Sequence, residues 1–436
     1  MADATFDDPD VTTFARLDGL GLQVTGQFVE PDRAVLACRV ADPDRTCRRC
    51  GAVGRPRDTV LRRLAHEPLG WRPTLLLVTV VRYRCQGCSA VWRQDTSRAA
   101  QPRARLSRGA LAWALTALVC QHLTVARVAE ALGVSWNTAN AAVLAEGQRR
   151  LIADPARFDG VQVIGVDEHV WRHTRRGDRF VTVIIDLTAV RNRTGPARLL
   201  DMIDGRSKQA FAQWLSQRPK SWRDRVEVVA MDGFTGFKTA TTAELPQATA
   251  VMDPFHVVRL AAHALDACRR RVQQDLLGRR GRSGDPLYST RRALLTGADL
   301  LTDRQRTRLR AVFATDTHLQ VEATWCVYQD LIRGYRDPNR RRGRDRIRAL
   351  IGSISRAVPR SLSEIATLGR TLQQRSADVL AYFDRPGTSN GPTEAINGRL
   401  EHLRGSALGF RNLANYIARS LLETGGFRPS IHRRLR

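Results

Sequence analysis

The sequence predicts an α/β protein: a mixed sheet interrupted by an all-helical stretch and preceded by a small cysteine module and a helix pair. Three observations carry this expectation. Short apolar runs of strand character recur from Val161 to Met252, several ending on an aspartate. After Asp253 the strand signals stop and helical periodicity takes over. Ahead of the sheet lie two Cys-x-x-Cys pairs and then a helix-glycine-helix pattern.

Composition bounds the answer. A chain of 436 residues predicts about two to four domains, and 43% hydrophobic with 26% charged residues excludes fibrous and wholly disordered classes. Lys and Arg number 70 against 43 Asp and Glu, a net charge of +27. Only Lys208, Lys220 and Lys238 are lysines, so the excess is almost entirely arginine, mainly a matter of codon usage. Such a charge still seeks a polyanion, and nucleic acid is the commonest. The longest apolar runs, 75–81 and 110–120, fall short of the roughly 18 residues a membrane span needs. Asp3, Asp7, Asp8 and Asp10 are the wrong charge for a signal peptide. The expected location is the cytoplasm, where thiols stay reduced and the eight cysteines have little use as disulfides.

Cys47-x-x-Cys50 and Cys85-x-x-Cys88 each offer two sulfurs from one tight knuckle, and two knuckles close a tetrahedral zinc site. The 34 residues between them hold a strand-like run, 74–83, able to return the chain to the first knuckle. Cys38, Cys120, Cys268 and Cys326 are isolated and expected as buried thiols. Ser107 caps a helix with Leu111, Leu115 and Leu118 on its apolar face, and Thr124 caps a shorter one over 125–132. Gly133-Val134-Ser135 breaks the chain before a third helix, from Trp136 to about Arg149. This is a helix-turn-helix pattern, also met in plain bundles. Read as a DNA-binding unit, it sets Ser135, Trp136, Asn137, Thr138 and Asn140 at the end that enters the major groove.

Strands are expected over 161–166, 179–187, 197–203, 225–231 and 248–252, with a turn at Gly177-Asp178 and helices over 207–217 and 236–245. Helices follow over 257–277, 304–314, 318–333, 344–357 and 361–382, interrupted by Arg-rich patches at 279–282 and 340–344. Those patches suit a solvated loop or a grip on phosphates equally. The turn cluster at 384–392 then delivers Thr393 as a helix cap with Glu394 at the first helical position, and a last helix covers 413–422.

Asp167, Asp232 and Glu394 sit where strands or turns end, the places from which a rigid sheet aims side chains into open space. Converging carboxylates of this kind hold paired divalent ions. On the residues alone, Asp186, Asp201, Asp204 and Asp253 compete with them.

The segments Gly165-Val166-Asp167-Glu168-His169, Ala230-Met231-Asp232-Gly233-Phe234, Asp253-Pro254-Phe255-His256-Val257-Val258 and Asn390-Gly391-Pro392-Thr393-Glu394-Ala395-Ile396-Asn397-Gly398-Arg399 together resemble the transposases of the ISL-three group of bacterial insertion sequences. Gly409-Phe410-Arg411-Asn412 with Asn415-Tyr416 fits the same pattern. The resemblance covers nearly the whole chain, and its last long motif is highly specific. It implies a ribonuclease-H-like catalytic core of the Asp-Asp-Glu type, interrupted by an all-helical insertion and preceded by a zinc-binding module and a helix-turn-helix. The triad maps onto Asp167, Asp232 and Glu394, which would bind Mg²⁺ or Mn²⁺; Cys47, Cys50, Cys85 and Cys88 would hold structural Zn²⁺. The matching Glu168, His169, Asp253 and His256 carry no assigned role. The implied partners are the element's inverted repeats and target DNA, met by a homodimer or higher oligomer on the nucleoid. The expected domains are 1–100 (zinc module), 101–155 (helix-turn-helix), 156–256 (first part of the core), 257–383 (insertion) and 384–436 (C-terminal part of the core). The alternative is a DNA-binding regulator whose core no longer cuts; the complete triad argues against it.

Overall fold

Alternating apolar residues build the first sheet. The computed structural model describes residues 8–174, 179–356 and 358–432, so the turn expected at Gly177-Asp178 lies outside the described residues. Strands β1 (Leu22–Val29), β2 (Ala34–Val40), β3 (Gly54–Leu69), β4 (Arg72–Cys85) and β5 (Val91–Arg93) pair in the order β1-β2-β4-β3, with β5 on β4. Every second residue of β4 from Thr74 to Val80 is buried, with Leu76, Val78 and Val80 in one core with Leu17, Leu36 and Leu64. The strand expected over 74–83 is thus the middle of β4. Its antiparallel register with β3 pairs Cys85 with Gly54, which brings the second cysteine knuckle beside the first.

Three capped helices follow. The side chains of Ser107, Thr124 and Ser135 accept from the N–H groups of Ala110, Arg127 and Thr138, starting helices Arg108–Cys120, Val125–Ala131 and Trp136–Gly147. Gly133 turns the chain between the last two at φ +61°, a conformation that costs glycine nothing. The third helix does not run α-helically to Arg149; it widens into a π-turn over Gln148–Ile152.

The C-terminal helix Leu413–Thr424, capped by Asn412, buries Tyr416, Leu421 and Leu422 and packs on Arg108–Cys120 and Trp136–Gly147. The fit is close, for a Cβ on Gly147 would come within 2.9 Å of Leu422. Residues from Leu403 onward therefore cluster with those up to Arg157, not with the second sheet. This divides the piece 384–436 that the sequence suggested as one, because the last helix carries its apolar face to the N-terminal helices.

The second unit, Phe158–His402, holds β6 (Val163–Val170), β7 (Phe180–Asp186), β8 (Arg198–Asp204), β9 (Val228–Met231) and β10 (Thr249–Met252) in the order β10-β9-β6-β7-β8. The first three strands are antiparallel, and β9 and β10 are added parallel to β6. Phe211, Trp214 and Phe237 from helices Lys208–Ser216 and Thr235–Glu244 join Ile164, Val229 and Met231 in the core over this sheet. After β10, helices Pro254–Leu277, Asp303–Phe313, Leu319–Arg336, Arg340–Arg356, Ser363–Gln374 and Ser376–Asp384 surround a core of their own that includes Leu265, Leu331, Ile347 and Leu372.

Two expectations in this stretch change. The Arg340–Arg344 run opens a helix instead of interrupting one: Asn339 Oδ1 accepts from the Arg342 N–H at 3.1 Å, Arg342 and Arg346 pair with Asp337, and Arg344 pairs with Asp384. Much of this charge is thus satisfied inside the protein. Cys326 is exposed, whereas Cys38, Cys120 and Cys268 are buried as expected. Among the described residues no helix is long and apolar enough to cross a membrane.

Candidate active site

Register decides where the acidic residues stand. Val166 of β6 pairs with Met231 of β9, and Met231 pairs with Met252 of β10. The next residues, Asp167, Asp232 and Asp253, therefore lie side by side where the parallel pairing of three adjacent strands ends. Asp167 was expected to follow its strand; instead β6 continues to Val170, because β7 goes on pairing with it after β9 has ended. The helix Gly391–Ser406 supplies Glu394. Asp167, Asp232 and Glu394 line one cavity of about 190 Å³, together with Asp253, His256 and Asn390.

Burial, together with the charges of Asp232 and Glu394, pushes the Asp167 carboxyl up to about 7, against the lowering bond from the Glu168 N–H. Asn397, one turn beyond Glu394, donates its Nδ2 to Asp167 Oδ2 at 3.0 Å. Its buried Oδ1 has no partner among the described residues. Sequence reading missed this residue, although its i+3 spacing from Glu394 was the available signal.

The competing aspartates have other work. Asp186 pairs with Arg198 at 2.8 Å, Asp201 accepts from the Trp214 indole at 2.8 Å, and Asp204 ends β8 at the far edge of the sheet. Asp253 caps helix Pro254–Leu277 through the His256 N–H and accepts from the Asn390 N–H at 2.7 Å. It thereby fixes the turn that launches Glu394. That helix begins at Gly391, so Asn390, not Thr393, stands at its start: the Asn390 carbonyl accepts from the N–H groups of Thr393 and Glu394. The Thr393 hydroxyl instead donates to Asn390 Oδ1 at 2.5 Å, buried against β6. His256 lies so close to Gly233 that a Cβ there would come within 2.6 Å of Nε2, and burial lowers its pKa. Glu168 pairs with Arg206 at 3.1 Å, and buried His169 lies 4.0 Å from Glu401.

Helix and strand touch at Gly165, where a Cβ would meet Thr393 Oγ1 at 2.7 Å and Leu187 at 3.0 Å. Gly165→Ala is therefore expected to cost about 1–3 kcal/mol. A thermal melt measures that loss, and a displaced Glu394 would lower cleavage alongside it.

The four cysteines of the N-terminal module form the other cluster. Their sulfurs all lie within 4.8 Å of one another, with Cys47–Cys88 at 3.6 Å and Cys50–Cys85 at 3.3 Å. Tetrahedral zinc with Zn–S of about 2.3 Å spaces its sulfurs by about 3.8 Å. The N–H groups of Cys88 and Gly87 draw the Cys85 thiol down to about 6. Cys50, despite the lowering N–H of Ala52, is driven up to about 12 by the sulfurs of Cys85 and Cys88. Sulfurs in conflict over protons are what a soft divalent ion relieves.

At the helix pair, Ser135 and Thr138 hydroxyls bond each other at 2.9 Å in the cap, while Trp136 is 50% exposed, Asn137 is exposed and Asn140 half-buried.

Acidic residues ranked along neighbouring strands, on a strongly basic chain, fit an enzyme that works on nucleic acid. Comparison gives its class: the chain belongs to the ISL3 group of DDE transposases, whose family model, described as Transposase, matches residues 164–420. The transposase for insertion sequence element IS1557 of Mycobacterium tuberculosis is 26% identical over 435 residues, covering 92% of this chain and 91% of that protein. The transposase for insertion sequence element IS1001 of Bordetella parapertussis is 26% identical over 269 residues, 60% of this chain and 61% of its own length. The protein is a DNA transposase, and its family implies use of a divalent metal. The donor set fits one: the carboxylates of Asp167, Asp232 and Glu394, which line one cavity, are hard oxygen ligands.

Proposed function

We propose that this transposase binds the terminal inverted repeats of its insertion sequence and cuts a phosphodiester at each end, with Asp167, Asp232 and Glu394 as the ligands of two Mg²⁺ or Mn²⁺ ions. The single observation that carries this reading is the register that sets Asp167 and Asp232 next to each other, over the cavity that Glu394 also lines. When bound, such ions activate water and stabilise the leaving oxygen of an in-line displacement. Asn397 holds Asp167 by Oδ2 while Oδ1 accepts from the Glu168 N–H, and the two bonds fix the carboxylate in place. Asp253 holds the Glu394 helix at its start through Asn390. A freed 3′-hydroxyl would then attack target DNA in the same cavity. The mixed sheet, with three antiparallel strands and two added in parallel, supports a ribonuclease-H-like core, and the helices after β10, with their separate hydrophobic core, support an insertion.

DNA recognition belongs, in this reading, to the zinc module and the helix-turn-helix, with Ser135, Trp136, Asn137, Thr138 and Asn140 facing the groove. Pairing two ends requires at least a dimer on the nucleoid. The test is cleavage of a linear DNA carrying both element ends, with Mg²⁺ and with chelator. Ends nicked only with metal support the reading; binding without any nick would favour a regulator that does not cut. The exposed Asn137 side chain can pair bidentately with adenine, so Asn137→Ala is expected to lose about 1–3 kcal/mol of discrimination between end and scrambled duplex. Competition binding on the full chain measures this. A fragment ending near residue 150 would not serve, because it lacks the helix Leu413–Thr424 that covers the N-terminal helices.

A further inference from the structure

A cavity of about 700 Å³ opens within the first unit, between the start of the helix pair and the C-terminal segment. Thr124, Trp136 and Asn140 line one side, and Phe410, Arg411 and Arg419 the other. Its volume falls in the range of about 300–1,000 Å³ usual for sites that hold small molecules.

Arg419 is the unusual member. It is only 5% exposed, yet its guanidinium makes no hydrogen bond among the described residues. Burial lowers its pKa, opposed by the charge of Glu423, a carboxylate that is itself bound to His122 Nδ1 at 2.7 Å. A guanidinium set in a cavity wall suits an anion that completes its fork of donors. The wall beside it is also set for a ligand. Leu408 is 96% exposed at φ +54°, a backbone conformation that a leucine rarely holds. Trp136 presents half its surface at the rim, and the Asn140 amide has no partner among the described residues.

We propose that this cavity binds one nucleotide of the element-end DNA, with its phosphate on Arg419 and Arg411 and its base against Trp136. The proposal rests on the reading of helix Trp136–Gly147 as the DNA-recognition helix and extends it. Recognition is then composite, shared between the helix pair and residues 403–419 from the other end of the chain. Charge complementarity selects the occupant: the chain carries +27, two guanidiniums line the cavity, and arginine meets phosphate bidentately. An aromatic face with a free amide beside it suits a base.

The probe is a fluorescein-labelled duplex of the terminal inverted repeat, titrated with the full chain at several salt concentrations. Arg419→Gln and Arg411→Gln should each weaken binding about tenfold and reduce the salt slope by about one phosphate contact. Ethylating one particular phosphate of the duplex should block wild-type binding and matter no longer to either variant. Because Arg419→Gln alters a buried site, its melting temperature is checked; should it unfold, Arg411→Gln, at an exposed position, decides alone. A folded variant that binds within twofold of wild type at the same slope overturns the proposal while leaving the recognition helix in place. Wild-type protein unable to tell the repeat from scrambled duplex overturns both. Variants that bind normally but sediment as a smaller species would assign the cavity to a second copy of this chain, again against the proposal.

Discussion

Asp167→Asn, Asp232→Asn and Glu394→Gln are each expected to reduce strand cleavage by about 10³-fold or more while end binding stays within about twofold. Each change removes a metal ligand at nearly constant volume, and the loss corresponds to about 4 kcal/mol of transition-state stabilisation. Asp167 should be the most sensitive, because burial and the charges of both partners press on it together. Asp253→Asn makes the informative contrast. Asparagine keeps an oxygen for the Asn390 N–H, so an intermediate loss of cleavage is expected from Asp253→Asn and a severe one from Asp253→Ala. Gel-based cleavage of an end-bearing duplex, read beside an electrophoretic binding assay, checks all five proteins. Full cleavage by Glu394→Gln would remove the proposed triad.

Replacing Cys85 and Cys88 together by serine is expected to abolish zinc binding and unfold the N-terminal module. Plasma emission on purified protein should fall from one zinc per chain to none. The knuckles are held together by the β3–β4 register, and the short β5 adds little to that end of the sheet. Without the ion, four sulfurs within 4.8 Å remain as an unsatisfied cluster. Metal binding to such sites is folding free energy, so an early transition should separate from the main melt. Specific end binding should fall with it, while metal-dependent nicking of nonspecific DNA should persist. Unchanged zinc in the double mutant would exclude this role for the cysteines.

Sequence patterns located the strands of the second sheet and the ends of most helices, because alternating burial and side-chain caps are local signals. Asp232 was legible as a strand-end carboxylate and the paired cysteines by their spacing, whereas Asp167 lies inside β6 at the point where β9 stops pairing. Their alignment was not legible, since it depends on which strands pair and in what register. Asp253 illustrates the limit: a strand-end aspartate like the others, it is distinguished by its bond to an N–H 137 residues away. Asn397 stayed silent because an exposed-looking polar residue on a helix gains meaning only when a partner from another strand arrives. The Arg340–Arg344 run misled for the opposite reason: its charge is local, but the Asp337 and Asp384 partners that let it start a helix are fixed by tertiary packing.

The sharing of one compact unit by the two ends of the chain has a consequence in time. A ribosome makes the helices of residues 108–147 first and the helix that covers them only after the whole of the second unit. Until then Gly147 and its neighbours lack the cover of Leu422, and a nascent chain can fold its second sheet before it can finish its own N-terminal unit. Under the proposed reading, recognition of an element end waits on a segment made after the whole catalytic unit, so a partly made chain is without its own means of choosing DNA.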